Sequence, residues 1–224
     1  MSPDRGSPAE LPIVDRDAID PDADLEEGPA VAGLLLAAGT SSRFGSENKL
    51  LEDVDGEPIV RHAARTLADS HVDPIVVVLG HEARRVRDAL EGLSLEFVVN
   101  EAYERGQASS VRTGIRTIRG RTAADAVVVA LGDMPFVDSA TVDALVAAYA
   151  AGTGDALAAA YEGERGNPVL FDARFFEQLT DVEGDIGGRR ILLEDDSSAL
   201  VAVDDPGVRR DVDVPDDLPR YSNR

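Results

Sequence analysis

The sequence predicts an α/β domain: a single three-layer α/β/α unit around a mostly parallel, Rossmann-like sheet. Three observations predict it. Continuous apolar runs recur at Val31–Ala37, Ile75–Leu79 and Ala126–Leu131, as in strands buried on both faces. Segments with apolar residues at helical spacing separate and follow them. The resulting strand–helix alternation across the first 150 residues implies parallel neighbours covered by helices.

Taken in order, residues 1–28 read as an acidic, disordered tail. They hold nine acidic and two basic residues, four prolines and few large apolar groups. Such a segment buries too little surface to offset its ordering entropy. Residues 29–224 form the domain. Its first strand is Val31–Ala37. Residues 58–69 place Ile59, Val60, Ala63, Ala64 and Leu67 on one helical face, with Pro58 in the first turn. Ile75–Leu79 is the second strand, and residues 82–91 make a short charged helix with Val86 and Leu90 inward. Leu95–Val99 is the third strand. Residues 107–119 are helical through Val111, Ile115 and Ile118, and Ala126–Leu131 is the fourth strand. Residues 139–151 are helical, with Ser139 as expected N-cap. Strands follow near 155–161 and 167–171, and short helices near 173–180 and 187–194. A strand at 199–203, an extended piece at 208–214 and a helical turn after Pro215 complete the reading.

Composition narrows the function. The net charge is −21, so the basic footprint of a nucleic-acid binder is absent and anionic membranes repel the chain. An anionic substrate needs a local basic site inside a repulsive field. Of the 22 basic residues 21 are arginine; Lys49 is the only lysine. Abundant Asp and Glu with almost no lysine suits a halophilic-type surface, where salt near 1 M screens self-repulsion to about 3 Å. There is no cysteine, which excludes disulfides and thiolate metal sites, and the three histidines are scattered. No apolar run approaches about 18 residues, and the N-terminus lacks the pattern of a secretory signal. A soluble cytoplasmic protein is expected.

In open parallel sheets, ligands bind beyond the carboxyl ends of the strands. The loops there carry five constellations. The first, after Val31–Ala37, holds Gly39, Ser41, Ser42, Arg43, Gly45 and Lys49. Glycine lets backbone approach a ligand, successive N–H groups make an anion nest, and Arg43 and Lys49 add charge. It has neither Walker A nor G-x-G-x-x-G spacing, and an ordinary strand-to-helix connection fits it too. The second is Gly132-Asp133-Met134-Pro135. A carboxylate at a strand end is a hard ligand suited to Mg²⁺, or a turn residue before proline. The third, Asp211-Val212-Asp213, puts two carboxylates on one face of an extended segment, either as metal ligands or as surface charge. The fourth runs from Asn100 to Ser110, where Ser and Gln at a helix start either bind a nucleoside or cap the helix. The fifth, Arg165-Gly166-Asn167-Pro168, is a turn that could line a second pocket.

The ordered set LAAGTSSRFG, NKLL, VLGH, VVN, GQASSV, LGDMP, RGNPVLF and DVDVPDDL resembles the nucleotidyltransferase family that includes the molybdenum-cofactor cytidylyl- and guanylyltransferases. The likeness spans about Ala30 to Leu218. The LAAG opening, the GNPVLF segment and the D-x-D-x-P-x-D-L ending lean toward the cytidylyl branch. Phe44, Ala108 and the acidic tail depart from the family pattern. The resemblance implies a nucleotide-diphospho-sugar transferase type of fold. It implies transfer of CMP from CTP, or NMP from another NTP, to the phosphate of molybdopterin cofactor, with pyrophosphate leaving. It implies Lys49, Arg43 and Asp133 as catalytic groups, and Mg²⁺ held by Asp133 with Asp213 or Asp211. Ala37, Ala38, Gly39, Ser41, Lys49, Asn100, Ser109 and Ser110 would meet the nucleotide, and Asn167 and Pro168 the acceptor. A molybdoenzyme would receive the product. A guanylyltransferase, a transferase for another small phosphorylated acceptor, and a non-catalytic cofactor-delivery module are the alternatives. A chain that has discarded lysine elsewhere keeps one at the family's phosphate-binding position, where a compact point charge differs from a guanidinium fork.

Overall fold

A computed structural model describes residues 11–15, 28–40, 48–181 and 187–212. The strands are β1 (Ile13–Val14), β2 (Val31–Ala37), β3 (Asp53–Val54), β4 (Glu57–Pro58), β5 (Ile75–Leu79), β6 (Glu96–Val99), β7 (Ala126–Leu131), β8 (Ala156–Tyr161), β9 (Glu164–Asp172) and β10 (Ser198–Ala202). The helices are α1 (Ile59–Ala68), α2 (Ala83–Ala89), α3 (Gln107–Arg121), α4 (Ser139–Ala150), α5 (Phe176–Asp181) and α6 (Gly187–Glu194). The main sheet runs β1-β10-β8-β9-β7-β2-β5-β6. Its pairs are parallel except those that β9 makes with β7 and β8.

The sequence explains the layering. Every residue of β2 is buried. Leu35 and Ala37, with Val77, Leu79, Val128 and Ala130, meet Val60, Ala64, Leu67, Val86, Leu90, Val142 and Leu145 from α1, α2 and α4 on one face. Leu34 and Leu36, with Val76, Val78, Val127 and Val129, meet Ile115, Ile118, Phe176, Leu179, Ile191 and Leu192 on the other. This is a three-layer α/β/α sandwich with period-2 alternation on a doubly covered sheet. Gly114 sets how closely α3 sits on β2. A Cβ there would lie 2.2 Å from Leu34 Cδ1, so the helix rests directly on the strand. That contact carries the first turn of α3 to the carboxyl ends of β2 and β7.

The structure differs from the sequence reading in several places. Ile13 and Val14, inside the expected tail, pair in parallel with Leu200 and Val201, and Pro12 O accepts from Leu200 N–H. Two β-branched residues suffice to extend an open edge. Ser139 is the first helical residue rather than the cap. Asp138 holds the cap position, and its side chain makes no capping bond to the helix. The capping acceptor comes from far along the chain: Asp205 Oδ2 accepts from Asp138 N–H at 2.9 Å and Thr141 Oγ1 at 2.7 Å. Its Oδ1 accepts from Gly207 N–H at 2.8 Å. The piece expected to be extended from 208 begins as a 3-10 turn, Pro206–Arg209. The short β3–β4 hairpin was not anticipated. The turn after Pro215 lies outside the described residues.

Candidate functional site

Two cavities open on the carboxyl side of β2 and β7. The first is a cleft of about 610 Å³. Its walls come from Ala38–Thr40 after β2, Lys49 and Leu50, Tyr103, Glu104, Gly106 and Gln107 with Ser110 at the start of α3, and Leu131 with Asp133 at the end of β7. Close backbone approach makes it. Gly80, just after β5, could not carry a Cβ: the atom would sit 2.6 Å from Ala38 O and 2.7 Å from Tyr103 Cβ. Gly132 N–H donates to Leu36 O at 2.9 Å, which turns the chain so that Asp133 follows at the strand end.

Lys49 and Asp133 meet in this cleft. Lys49 Nζ donates to Asp133 Oδ2 at 2.7 Å across 84 positions of sequence. Lys49 opens a 3-10 turn, Lys49–Leu51, whose N-cap Asn48 accepts from Leu50 N–H at 3.1 Å. Leu50 is buried against the core and so fixes the turn's rotation, aiming Lys49 outward. Asp133 is held from its other side, where Val212 N–H donates to Asp133 O at 3.0 Å. Val212 is fully buried with Val54 and Ile59. The tie brings Asp211, whose side chain is exposed, to the segment joined to Asp133.

Other expected site residues divide. Ala38 and Gly39 line the cleft, and Ala38 O accepts from His81 N–H at 3.3 Å. Ala37 does not line it; its side chain is buried in the core beside α1. Ser110 lines it, whereas Asn100 and Ser109 do not. Asn100 Nδ2 donates to Ser109 Oγ at 2.8 Å and Ser110 Oγ at 3.0 Å, and Asn100 Oδ1 accepts from Ala102 N–H at 3.0 Å. Ser109 Oγ donates to the carbonyls of Ala102 and Gly106. These two are positioning residues: they pin the loop before α3. That loop supplies Tyr103 and Glu104, which the sequence reading passed over; their place between Asn100 and Gly106 was the available signal. Ser41, Arg43 and Asp213 lie outside the described residues, as do Ser42, Phe44 and Gly45.

The second cavity, about 270 Å³, shares Gln107 and Leu131 with the first. Its floor is one face of β9, where Arg165, Asn167, Val169 and Phe171 alternate inward. Ala108 and Val111 of α3 and Leu192 of α6 are among its walls. Pro168 does not face it. It is buried on the opposite side of β9, against Ala63, Thr66 and Met134. Asn167 borders both spaces, and Pro168 only the one beneath the strand.

The residues fit a hard divalent cation. Asp133 offers carboxylate oxygen at the cleft wall, and the chain has no thiol. Among the described residues no three His, Asp or Glu cluster as a preformed cage.

Sheet and cleft together define an α/β protein with a cleft beyond the carboxyl ends of its central strands, where ligands bind in open sheets of this kind. The chain belongs to the family of the MobA-like NTP transferase domain, whose pattern matches residues 33–210. It is 39% identical over 107 residues to a probable molybdenum cofactor guanylyltransferase of Natronomonas pharaonis, covering 47% of this chain and 50% of that one. The chain thus spans half the length of that relative. It is 30% identical over 208 residues to nicotine blue oxidoreductase of Paenarthrobacter nicotinovorans, covering 89% of this chain and 98% of that one. The structure of Rv0371c from Mycobacterium tuberculosis superposes with a TM-score of 0.77 at 28% identity, over 88% of this chain and 99% of that one. A manganese complex of Rv0371c superposes at 0.70 with 25% identity, over 86% and 97%. The nucleotide-diphospho-sugar transferase type of fold is therefore as the sequence implied. Relatives named for such different activities share one scaffold, so the reaction has to be argued from this chain's own cleft. No helix among the described residues is long and apolar enough to cross a membrane.

Proposed function

We propose that the chain transfers CMP from CTP to the phosphate of molybdopterin cofactor and releases pyrophosphate. The observation that carries this reading is the Lys49–Asp133 pair in the cleft, beside a second cavity that shares Gln107 and Leu131 with it. Two substrates need two adjoining compartments. Family membership and the relative named as a molybdenum cofactor guanylyltransferase support the reaction class and the acceptor. The LAAG sequence at Leu36–Gly39 supports the cytidylyl choice.

In this reaction an acceptor phosphate oxygen bonds to the α-phosphorus. The bond from that phosphorus to the oxygen bridging it to the β-phosphate breaks, and the electron pair leaves with pyrophosphate. The chain need form no covalent intermediate; it positions and neutralises charge. Lys49 neutralises Asp133 in the cleft, and an entering triphosphate offers it a more anionic partner. From there its ammonium stabilises charge on the departing pyrophosphate, with Arg43 assigned the same task. The backbone of Ala38 and Gly39, with Ser110 and the first turn of α3, meets the nucleotide. Asp133, with Asp213 or Asp211, would hold Mg²⁺, which when bound polarises phosphoryl oxygens. Asn167 faces the acceptor. A molybdoenzyme is the proposed recipient of the product.

A guanylyl reading stands second, favoured by the 39% identical relative. Pyrophosphate release measured with each NTP in turn, with the pterin acceptor present, separates the two. Release with CTP is expected. Release with GTP alone would overturn the cytidylyl choice, and release with no NTP would overturn both readings.

A further inference from the structure

We propose that Glu82 is a positioning residue, which sets the aim of Lys49 through Asn48. That this serves catalysis rests on the nucleotidyl-transfer reading; the control of Lys49's position does not.

The first observation is backbone strain. Three of the described residues other than glycine have positive φ: Asp55 at 53°, Glu82 at 49° and Glu162 at 51°. Two of them follow from their turns. Asp55-Gly56 joins β3 to β4 and Glu162-Gly163 joins β8 to β9, and a two-residue hairpin turn of this kind needs positive φ at both positions. Glu82 belongs to no hairpin. It stands between β5 and α2, at the N-cap of that helix, and its side chain makes no capping bond. Glycine holds the left-handed conformation without strain, yet this position carries a glutamate. Its backbone is held from both sides. His81 N–H donates to Ala38 O at 3.3 Å before it, and Val86 N–H donates to Glu82 O at 3.2 Å after it.

The second observation is what the carboxylate faces. Arg85 Nη1 donates to Glu82 Oε1 at 2.6 Å, and the Asn48 side chain approaches from the loop after β2. Arg85 first, then His81 and Asn48, hold the Glu82 carboxyl below its usual pKa, so it is an acceptor at neutral pH. Asn48 is 2% exposed, and its Oδ1 already accepts from Leu50 N–H at 3.1 Å. An amide donates only through its nitrogen, so Nδ2 is the end that suits a carboxylate. Turned over, the amide would set oxygen against the carboxylate, and the turn Lys49–Leu51 would lose its cap. Glu82 thus selects one orientation of Asn48. Lys49 is the first residue of that turn, so the orientation is passed to the ammonium that meets Asp133.

Lys49 is the only lysine, so a chain grown with isotope-labelled lysine gives one lysine side-chain signal by NMR. Glu82→Gly relieves the left-handed strain and should hold or raise the unfolding midpoint. It should nevertheless move the lysine signal toward its position in Asp133→Asn. It should also lower kcat about tenfold, with the NTP KM within about twofold, as misplacement of a catalytic group does. Glu82→Asn tolerates left-handed backbone, is one methylene shorter and should behave alike. Glu82→Gln keeps an acceptor oxygen and should restore the signal and most of kcat. Glu162→Gly relieves the same strain in a hairpin and should move neither. A lysine signal unmoved in both Glu82→Gly and Glu82→Asn, no recovery in Glu82→Gln, a fall in unfolding midpoint that goes with the loss of kcat, or an equal displacement in Glu162→Gly would each overturn the proposal. A signal that moves as expected in a chain inactive with every NTP would sink nucleotidyl transfer and leave the control of Lys49 intact.

Discussion

The two cavities meet at Gln107 and Leu131 but are made of different materials. The first joins backbone and small residues at strand ends to Tyr103 and a few leucines, with one lysine and two carboxylates, Asp133 and Glu104. The second is apolar side chain from both sheet and helices, with two arginines. The first draws on parallel strands, β2 and β7, in the arrangement that places ligands at carboxyl ends. The second has the side chains of β9, which runs against its neighbours, as its floor. One compartment suits a polyanion gripped by main chain; the other suits a molecule recognised by shape and a single charged group.

Perturbing each compartment separately sharpens the contrast. The largest effect belongs to the ion pair. Lys49→Ala and Asp133→Ala should each lower turnover by about two decades or more, since charge stabilisation of this kind supplies several kcal/mol. Wild-type rates in either variant would remove these residues from the proposed chemistry. Next come the glycines. Gly80→Ala forces Ala38 and Tyr103 apart and should raise the nucleotide KM by about tenfold or more, a geometric penalty at the first cleft. Gly166→Ala collides with Val208 O and should act on the acceptor KM instead. Steady-state kinetics with each substrate varied in turn would show the split, and identical effects of both variants on both constants would erase the distinction.

A structural device joins the two regions. Asp205 caps α4 and holds the Pro206–Arg209 turn, from which the chain reaches Val212 and Asp133. Asp205→Ala strands three donors that the carboxylate now satisfies and should cost about 2–3 kcal/mol in denaturant unfolding. Asp205→Asn keeps acceptor oxygen and should cost less. The smallest effect is a pH dependence. Tyr149 donates to Asp172 Oδ2 at 2.6 Å, and its pKa is raised, first by burial and then by that bond. A raised folded-state pKa contributes stability that is complete below the unfolded value and is lost as pH climbs from about 10 toward the folded value. Unfolding midpoints should therefore fall above that pH, and Tyr149→Phe should flatten the decline.

Contiguity decided what the sequence disclosed. The cores of β2, β5 and β7 follow from unbroken apolar runs, and their observed ends coincide with those runs. Lys49 and Asp133 are assigned to one site by their loops beyond β2 and β7 and by the resemblance, and the structure brings the two side chains into contact. The direction of β9 was not legible, since Arg165–Phe171 reads alike in either orientation. Asp205 could not be named as the cap of α4 because its partners Asp138 and Thr141 lie more than sixty residues earlier. Asn100 and Ser109 could be read from the sequence as nucleoside contacts or as polar groups holding the start of α3, because the same side chains serve either task. Only the hydrogen-bond partners distinguish the two. Arg165–Pro168 read as a turn but belongs to strand β9, which puts Asn167 and Pro168, paired by the resemblance, against different neighbours.

The central claim is transfer of a nucleotide between two compartments, and the mass of the acceptor tests it most directly. The chain would be incubated with NTP, divalent cation and the pterin phosphate, and the pterin weighed by mass spectrometry. The account predicts a gain of one nucleoside monophosphate, abolished by Lys49→Ala. An acceptor of unchanged mass, or one altered only by gain or loss of hydrogen as an oxidoreductase would leave it, would contradict the account.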